Sequence, residues 1–441
     1  MFTMKIDDLL SSIEPEAVGR DIYQLIKEIY PFCRSITGDG VRLTHDILKQ
    51  YIPLEIHEIP SGTEVFDWTI PKEWNIKDAC VKNSRGERII DFQTSNLHVV
   101  SYSIPINRIM SLEKLKQHLH TLPDHPDWIP YRTSYYKETW GFCLSHNQFL
   151  NLEDEQYEVF IDSSLKEGHL TYGEYCLQGE TSDEVLISCH SCHPSLCNDN
   201  LSGVALSAIL GKYMKALSLR YSYRFLFIPG TVGSIAWLYT NENRVPRIKH
   251  GMVLACLGDR GKSTYKRSRR GNAEIDRAAA HVLKHSRIDY EVVDFIPYGY
   301  DERQYCSPGF NLPVGCLMRT PHGRYPEYHT SADNLDLVRP ESLADSFLKC
   351  LKIFQILEGN RKYMNLNPRC EPQLGKRGLY GALGGQQDAV ADQMAMLWIL
   401  NLSDGSHTLL DIAYRANMDF RTILAAADAL RDKGLLEENK E

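Results

Sequence analysis

The sequence lacks the features of a membrane-spanning or secreted protein. No stretch among its 441 residues approaches the roughly 20 consecutive apolar residues that cross a bilayer. Residues 1–11 carry no basic head followed by an apolar block, which a secretory signal peptide would have. We therefore expect a cytoplasmic protein in which the 12 cysteines stay reduced.

Positive charge is also in short supply. The chain has 49 Lys and Arg residues against 57 Asp and Glu residues, which gives a formal net charge of −8. Basic contacts to phosphate dominate nucleic-acid affinity, so this balance argues against broad binding to nucleic acid or to an anionic membrane. No internal repeat is visible, and the 43% apolar content is ordinary for a soluble protein of two or three domains.

Strands and helices alternate in the middle of the chain. A helix over residues 201–216 follows the first of four short apolar runs, which lie at 184–189, 223–228, 252–257 and 312–318. Continuous apolar strands that alternate with helices are typical of a parallel sheet covered on both faces. We predict an α/β fold of this kind, mostly parallel with helices on both faces, formed by residues 1–58 and 180–362.

Two other regions differ from this α/β domain in their sequence pattern. Residues 59–179 contain short β-rich runs separated by turn residues, which predicts an inserted, mainly β domain. Residues 363–441 begin with a linker that contains Pro and Gly and continue with helical patterns at 389–402, 409–416 and 420–433. These three helices resemble a winged helix.

The charge of this C-terminal region argues against DNA binding. From Ala389 to Glu441 there are five basic residues against nine acidic ones, and the helix in the recognition position carries three consecutive alanines. An acidic module is poorly suited to a phosphate backbone. We therefore favour dimerisation or a protein partner for this region over a DNA-binding regulator.

The strongest candidate site lies in residues 189–203, CHSCHPSLCNDNLSG. His190 follows an apolar run directly, and Asp199 lies just before a predicted helix. In sheets of this type ligands bind beyond the carboxyl ends of the strands. Zinc takes neutral imidazole and carboxylate ligands, so His190 and Asp199 are candidate zinc ligands. The alternative is a tight loop whose His and Cys side chains are simply buried.

Two later segments supply further candidates. His329 lies in a loop before a helix that starts near Pro340, although the polar residues around it also suit a helix cap. Asp259 or Cys256, at the end of the run 252–257, is a candidate additional ligand. Asp259 could equally form an ion pair with a neighbouring basic residue.

These segments resemble the zinc aminopeptidases with two co-catalytic metals and the related glutaminyl cyclases. The matching residues are His190, the segment NDNLSG at 198–203 and the segment HTSAD at 329–333. The resemblance implies that Asp199 bridges two metals and that His190 and His329 each bind one of them. The whole chain also resembles an aminopeptidase-like family found near polysaccharide genes, with an inserted β domain and a C-terminal winged helix.

The chain departs from the aminopeptidase pattern at two positions. Gly230 and Thr231 stand where the family has paired glutamates, the first of which is the general base and the second a metal ligand. Cys192 replaces the aspartate that supports the first histidine. One zinc ion is therefore as well supported as two, and Cys192 or His193 could replace the lost ligand.

The remaining catalytic roles have several candidates. Glu327 and Glu302 are the candidate general bases, since zinc-activated water still gives up a proton, and His193 could orient the substrate. Glu302 could instead lie on a solvated charged face. Arg303, Arg324 and Tyr328 are the candidate substrate-binding residues, because Arg binds carboxylate or phosphate with two hydrogen bonds.

The leading hypothesis is a zinc-dependent hydrolase that acts on an amide or peptide bond of a small substrate. A zinc-binding scaffold or regulator that has lost the base is the second hypothesis, and a DNA-binding regulator is the third. The fold does not fix the reaction, so cyclisation or acyl transfer on one zinc stays open.

Overall fold

The structure, a computed structural model, describes residues 4–379 and 387–439, without the side chains of residues 387–391. The chain divides into two units, each with its own contacts. Unit 1 contains the chain up to Ala273 together with Asp289–Leu348, and unit 2 contains Glu274–Ile288 together with the chain from Lys349 onward. No helix in the described ranges is both long and apolar enough to cross a membrane.

The helices of the described residues range from one turn to five. They are α1 (Ile6–Ser12), α2 (Pro15–Ile29), α3 (Asp39–Leu48), α4 (Leu112–Lys116), α5 (His146–Leu150), α6 (Ser202–Met214), α7 (Val232–Thr240), α8 (Glu274–His285), α9 (Glu302–Tyr305), α10 (Pro340–Gly359), α11 (Gln387–Leu402), α12 (Leu409–Ala416) and α13 (Phe420–Asp432).

The strands of the described residues form one large sheet and several small ones. They are β1 (Glu55–Pro60), β2 (Glu64–Val65), β3 (Trp68–Thr69), β4 (Glu73–Lys82), β5 (Arg88–Asp91), β6 (Ile106–Ser111), β7 (Leu119–His120), β8 (Phe142–Cys143), β9 (Gln156–Lys166), β10 (His169–Leu177), β11 (Glu184–His190), β12 (Ser222–Ile228), β13 (Ile248–Leu254), β14 (Ser263–Lys266), β15 (Tyr290–Val293), β16 (Val314–Met318), β17 (Lys362–Asn365), β18 (Asp404–Thr408) and β19 (Leu436–Glu438).

The large sheet belongs to unit 1 and has eight strands in the order β1-β10-β12-β11-β13-β16-β14-β15. The four central strands, β12, β11, β13 and β16, are parallel to their neighbours within this group. They correspond to the four apolar runs of the sequence, and helix α6 packs against three of them. The predicted α/β fold with a mainly parallel central sheet is therefore confirmed.

The central strands of this sheet are buried on both faces, which agrees with their continuous apolar sequences. Every residue of β11 and every residue of β12 is buried. The charged residues among them are paired: Arg224 of β12 donates to Glu184 at 2.6 and 2.7 Å and also to Glu174 of β10. Buried charges persist only when they are paired in this way, so the polar residues do not interrupt the sheet.

A smaller antiparallel sheet forms the core of the inserted region. Its order is β5-β4-β9-β6, and its apolar face includes Val81, Val159 and Ile161. The flanking strands β1 and β10 pair with the large sheet instead. The β-rich insertion thus leaves and re-enters the large sheet through two neighbouring strands.

Unit 2 contains the three C-terminal helices and a small sheet in the order β18-β17-β19. Helix α12 begins with a capping box in which the Thr408 hydroxyl accepts from the Asp411 backbone N–H at 3.1 Å. Asp411 also forms an ion pair with Arg277 of helix α8 at 2.6 Å. Helix α8 therefore packs with the C-terminal elements, although its sequence position lies within the range predicted for the α/β domain.

Candidate metal centre

The central strand of the large sheet places His190. It is the last residue of β11, opposite Ile228 of β12, and its side chain is 2% exposed. Side chains at the carboxyl ends of parallel strands lie beyond the apolar layer of the sheet. This position allows a polar ring at the end of a buried strand.

An irregular turn, Cys197–Leu201, places Asp199. The backbone at Asp199 is non-helical. The side chain of Asp333 holds this turn through hydrogen bonds to its backbone. That carboxylate accepts from the backbone N–H of Asn198 at 2.5 Å and from that of Asp199 at 3.0 Å. Burial raises the pKa of Asp333 to about 8. Asp333 therefore acts on the site through the backbone of the turn.

The amide of Asn200 ties this turn to the sheet and to helix α6. It donates to the carbonyl of Leu254 at 2.9 Å and accepts from the backbone N–H of Gly203 at 3.2 Å. A Cβ atom added to Gly203 would lie 2.3 Å from the Leu254 carbonyl oxygen. Glycine is therefore required where α6 approaches the strand end.

Three imidazoles converge on the carboxylate of Asp199, which is fully buried. His190 Nε2 lies 2.8 Å from Oδ1, and His329 Nε2 lies 3.0 Å from Oδ2. His193 Nδ1 lies 3.9 Å from Oδ2. Within the described part of the chain, the ligating atoms of His190, His193 and Asp199 all lie within 4.8 Å of one another.

The charges of this cluster suit a cation. Burial opposes ionisation of Asp199, but His193 and His190 outweigh it and hold the pKa of Asp199 well below 3.8. Burial holds the pKa of His193 well below 6.5. Burial lowers the pKa of His190, but the neighbouring Asp199 raises it by more, so the pKa of His190 lies above its usual value. An ionised carboxylate among imidazoles is a donor set that attracts a divalent metal.

The donor set fits zinc. Zinc sites commonly combine His nitrogens with one carboxylate, and catalytic sites use three protein ligands plus an open position. His193 Nδ1 is buried and has no hydrogen-bond partner, which leaves it free for a metal. Cys192 differs, because burial raises the pKa of its thiol to about 12 and its Sγ donates to the Gly230 carbonyl at 3.8 Å.

A carboxyl group that the sequence did not single out lies beside Gly230. Asp301 is fully buried, and its Oδ1 accepts from the Ser234 hydroxyl at 2.8 Å, while its Oδ2 has no partner. A Cβ atom added to Gly230 would lie 3.5 Å from Asp301 Oδ2 and 2.9 Å from His190 Cβ. Burial raises the pKa of Asp301 to about 6. By resemblance to the zinc aminopeptidases, a glutamate would stand at position 230. The carboxyl group of Asp301 borders that position.

The other acidic residues singled out from the sequence make different contacts. Asp259 accepts from Asn198 at 2.9 Å and from the Thr320 hydroxyl at 2.6 Å, and it makes no hydrogen bond to the three histidines. Glu302 is buried and accepts from Lys266 at 2.7 Å. Glu327 is half-buried, and its backbone carbonyl accepts from Thr330.

Aromatic rings surround the exposed side of the cluster. Tyr328 stacks on His329 with 4.0 Å between ring centroids, and Tyr300 stacks on His190 at 4.8 Å. His322 lies 5.2 Å from the ring of Tyr300, and Tyr298, which is 65% exposed, lies 5.5 Å from His322. This aromatic rim offers flat apolar surface next to the metal-binding atoms.

Of the two arginines expected to bind substrate, one is next to this rim. The guanidinium of Arg303 lies 5.9 Å from the ring of Tyr298. Arg324 is more than half exposed and pairs with Glu291 at 3.1 Å. The Arg324 guanidinium is therefore engaged by a carboxylate of strand β15.

Asp301 is the main residue that sequence reasoning missed. It sits in the segment Tyr300-Asp301-Glu302-Arg303, in which Glu302 was chosen as the candidate base. Asp301 is the N-cap residue of the short helix α9. The sequence offered no signal that separates Asp301 from Glu302, because which of two adjacent buried side chains borders Gly230 depends on tertiary packing.

Comparison with known proteins agrees with this architecture. The fold of unit 1 is that of the zinc aminopeptidases: the structure of BSAP, a zinc aminopeptidase from Bacillus subtilis, superimposes with a TM-score of 0.55 at 11% identity and covers 76% of this chain and 94% of that one. The chain belongs to the family described as "Domain of unknown function (DUF4910)", which matches residues 23–360. A winged helix-turn-helix family matches residues 361–438, which confirms the predicted C-terminal fold.

Two similar proteins come from Clostridium acetobutylicum. One is 57% identical over 419 residues, covering 95% of this chain and 96% of the relative, and its name assigns it provisionally to polysaccharide biosynthesis with an aminopeptidase-like domain. The other is a crystal structure named provisionally as a peptidase, at 54% identity and a TM-score of 0.94, covering 98% of this chain and 99% of that one. The similarity therefore extends over nearly the full length of this chain and of both proteins.

Proposed function

We propose that this chain is a zinc-dependent hydrolase of amide or peptide bonds. The observation that carries the proposal is the convergence of His190, His193 and His329 on the buried carboxylate of Asp199. A buried carboxylate with imidazole nitrogens gathered around it is a donor set that zinc prefers in proteins. The zinc-aminopeptidase fold of unit 1 supports the same assignment.

In this proposal His190, Asp199 and His329 hold the metal, and His193 is within reach as a fourth donor. A zinc ion bound there would lower the pKa of a water molecule to about 7 and polarise a carbonyl group. The chain itself supplies the geometry: β11 fixes one imidazole, and Asp333 fixes the turn that carries the carboxylate.

Asp301 is the candidate proton acceptor of this site. Its Oδ2 lacks a partner and borders Gly230, where the aminopeptidases carry their general base. Glu302 is less suited, because Lys266 holds its carboxylate. Glu327, which is half-buried, is the alternative candidate for the general base. A well-placed base contributes roughly 10²–10⁴-fold to such a reaction.

The substrate is proposed to be a small molecule that carries an amide beside a flat or apolar group. The rings of Tyr298, His322 and Tyr328 supply the matching surface, and Arg303 can bind an anionic group at its edge. The name of the Clostridium relative points to polysaccharide synthesis. An amide on a sugar or on a sugar-linked peptide is therefore a candidate beside a simple peptide.

The test combines metal analysis with hydrolysis assays on the full chain. The wild type is expected to copurify with zinc and to hydrolyse at least one amide from a panel of aminoacyl anilides, dipeptides and N-acetylated amino sugars. His190→Ala, Asp199→Ala and His329→Ala should each lose zinc and hydrolysis. Arg85→Ala is the control, since it removes only an exposed ion pair with Glu87 in the inserted region.

Each outcome selects between the hypotheses. Unchanged zinc content in all three variants would refute the ligand assignment. Zinc in the wild type without turnover on the panel would favour the scaffold or regulator. We propose that the winged-helix region mediates dimerisation or binds a partner protein rather than DNA. The cytoplasmic location of the protein stays a prediction.

A further inference from the structure

A segment of the inserted region reaches the metal centre directly. Pro130 and Thr330 form an antiparallel bridge, in which the backbone N–H of Tyr131 donates to the His329 carbonyl at 2.8 Å. On the other side of the bridge, the backbone N–H of Ser331 donates to the Ile129 carbonyl at 2.8 Å. The loop that carries a proposed ligand is therefore bridged to a segment of the inserted region.

The backbone of His329 needs such support. Its φ angle of +56° lies in the left-handed region, which is unfavourable for residues other than glycine. Residues persist in this region only when their surroundings define the conformation. The hydrogen bond from Tyr131 is made to the carbonyl of His329 itself, so it fixes the peptide group at the strained position.

The side chain of Tyr131 contacts two of the imidazoles. Its ring lies edge-on to His193 at 5.3 Å and 81°, and edge-on to His329 at 5.1 Å and 82°. The two imidazoles lie 5.0 Å apart. Tyr131 is 7% exposed. Its hydroxyl lies 2.9 Å from the hydroxyl of Tyr135, and this hydrogen bond restricts the orientation of the Tyr131 ring. Edge-to-face contacts of this kind favour one relative orientation of the rings.

We propose that Tyr131 is a positioning residue of the metal centre, which orients His193 and His329 toward Asp199. The inserted region is then a structural part of the site, and the site is incomplete without it. This inference rests on the proposed zinc site but adds a residue that makes no contact with the metal or substrate. Residues that orient ligands typically change metal affinity by 10- to 100-fold when they are replaced.

The test measures zinc affinity of the full chain by competition with a chromophoric chelator, together with the visible spectrum of the cobalt-substituted protein. Tyr131→Leu removes the ring edges, and we expect about 10- to 100-fold weaker zinc binding and an altered cobalt spectrum. Tyr131→Phe keeps the ring and loses only the hydroxyl contact, so it should retain most of the affinity. A merely structural role would leave the cobalt spectrum unchanged.

Tyr157→Leu is the matched control. Tyr157 is a tyrosine of the same inserted region, 1% exposed, whose hydroxyl donates to the Glu153 carbonyl. It should lower the stability of the protein without changing zinc affinity. If Tyr131→Leu does not fold, Ser331→Ala replaces it, because this change removes the 2.9 Å bond from Ile129 and should weaken zinc binding about fivefold.

The outcomes separate the two proposals. Wild-type protein without zinc affinity overturns both the zinc site and the positioning role. Tight zinc binding in the wild type that is unchanged in Tyr131→Leu, or in Ser331→Ala where the first variant is unfolded, overturns the positioning role alone. An equal loss of affinity in Tyr157→Leu would also overturn it, because the effect would then follow from stability.

Discussion

Replacing Gly230 by alanine tests the packing around His190. The added Cβ would lie 2.9 Å from the Cβ of His190, whereas carbon atoms in contact prefer roughly 3.5–4.0 Å. His190 is buried at the end of a strand paired on both sides, so it has little room to move away. The substitution must therefore displace either the ligand or the loop after β12.

The magnitude follows from the cost of overpacking. An extra methyl group in a close-packed interior costs typically about 1–3 kcal/mol. If that cost is relieved when His190 leaves its metal-binding position, it appears as a loss of zinc affinity. Because 1.4 kcal/mol is a factor of ten, we expect zinc binding to weaken by roughly 5- to 150-fold.

The assay compares two glycine variants. Zinc affinity by chelator competition, and thermal unfolding with and without zinc, would be measured for Gly230→Ala and for Gly309→Ala. A Cβ added to Gly309 meets no atom within 4 Å, so this control carries the same chemical change without the contact. Gly309→Ala should bind zinc like the wild type.

Equal zinc affinity in the two variants would refute the reasoning. Either His190 would not be a ligand, or the site would be loose enough to absorb the methyl group. A glutamate at this position would bring the same Cβ atom to 2.9 Å from the Cβ of His190. Reintroducing the family's residue is therefore not expected to restore an aminopeptidase site.

Three further predictions concern proton transfer, pH and helix capping. Asp301→Asn should keep zinc but lose about 10²-fold or more of any amide hydrolysis found, as measured by metal analysis and initial rates. Burial lowers the pKa of His45 and of His250 to about 4, so unfolded chains take up protons that the folded state excludes. Stability is then complete above about pH 6.5 and falls as the pH drops toward 4, by about 3 kcal/mol per histidine, measurable from denaturant midpoints. Thr408→Ala should cost about 1 kcal/mol by removing the N-cap of α12, measured in the same way.

Matched variants make these predictions specific. Full activity in Asp301→Asn would contradict the proton-transfer role and leave Glu327 as the candidate. His45→Gln should flatten the loss of stability in acid, whereas the same change at His169, whose side chain is 44% exposed, should not. Thr408→Ser keeps a capping hydroxyl, and a loss equal to that of Thr408→Ala would argue against the cap.

The parallel part of the fold was predictable because burial on both faces leaves a simple pattern. The four apolar runs became β11, β12, β13 and β16, and the first of them ends at the predicted position beside His190. The C-terminal helices were also found within a few residues. Both predictions depend on local hydrophobic pattern, which a single sequence displays directly.

The antiparallel edges and the inserted sheet were harder to predict. Strand β10 pairs with β12 and β1, and nothing in its own sequence indicates that it leaves the insertion for the large sheet. Pairing partners depend on tertiary contacts rather than on propensity. For the same reason the contact between Tyr131 and His329 had no signal in the sequence.

The candidate site shows the same division. His190, Asp199 and His329 were found from strand ends and from the resemblance, and the structure brings them together. Asp259 was chosen by position after a strand, but it hydrogen-bonds Asn198 and Thr320. Asp301 and Glu302 are both buried, and they differ in that Asp301 borders Gly230 whereas Glu302 accepts a hydrogen bond from Lys266. Sequence spacing does not resolve that difference.

Helix α8 belongs to unit 2, although the chain on either side of it belongs to unit 1. Glu274–Ile288 is contributed to unit 2 from the middle of unit 1, and Tyr414 of α12 donates its hydroxyl to the backbone of Arg277 at 2.7 Å. A chain shortened before Arg361 would therefore remove two partners of Arg277, the hydroxyl of Tyr414 and the carboxylate of Asp411. Truncation of the winged helix would thus also disturb helix α8, which the middle of the chain supplies. A loss of activity in such a fragment would therefore not reveal the role of the winged helix itself.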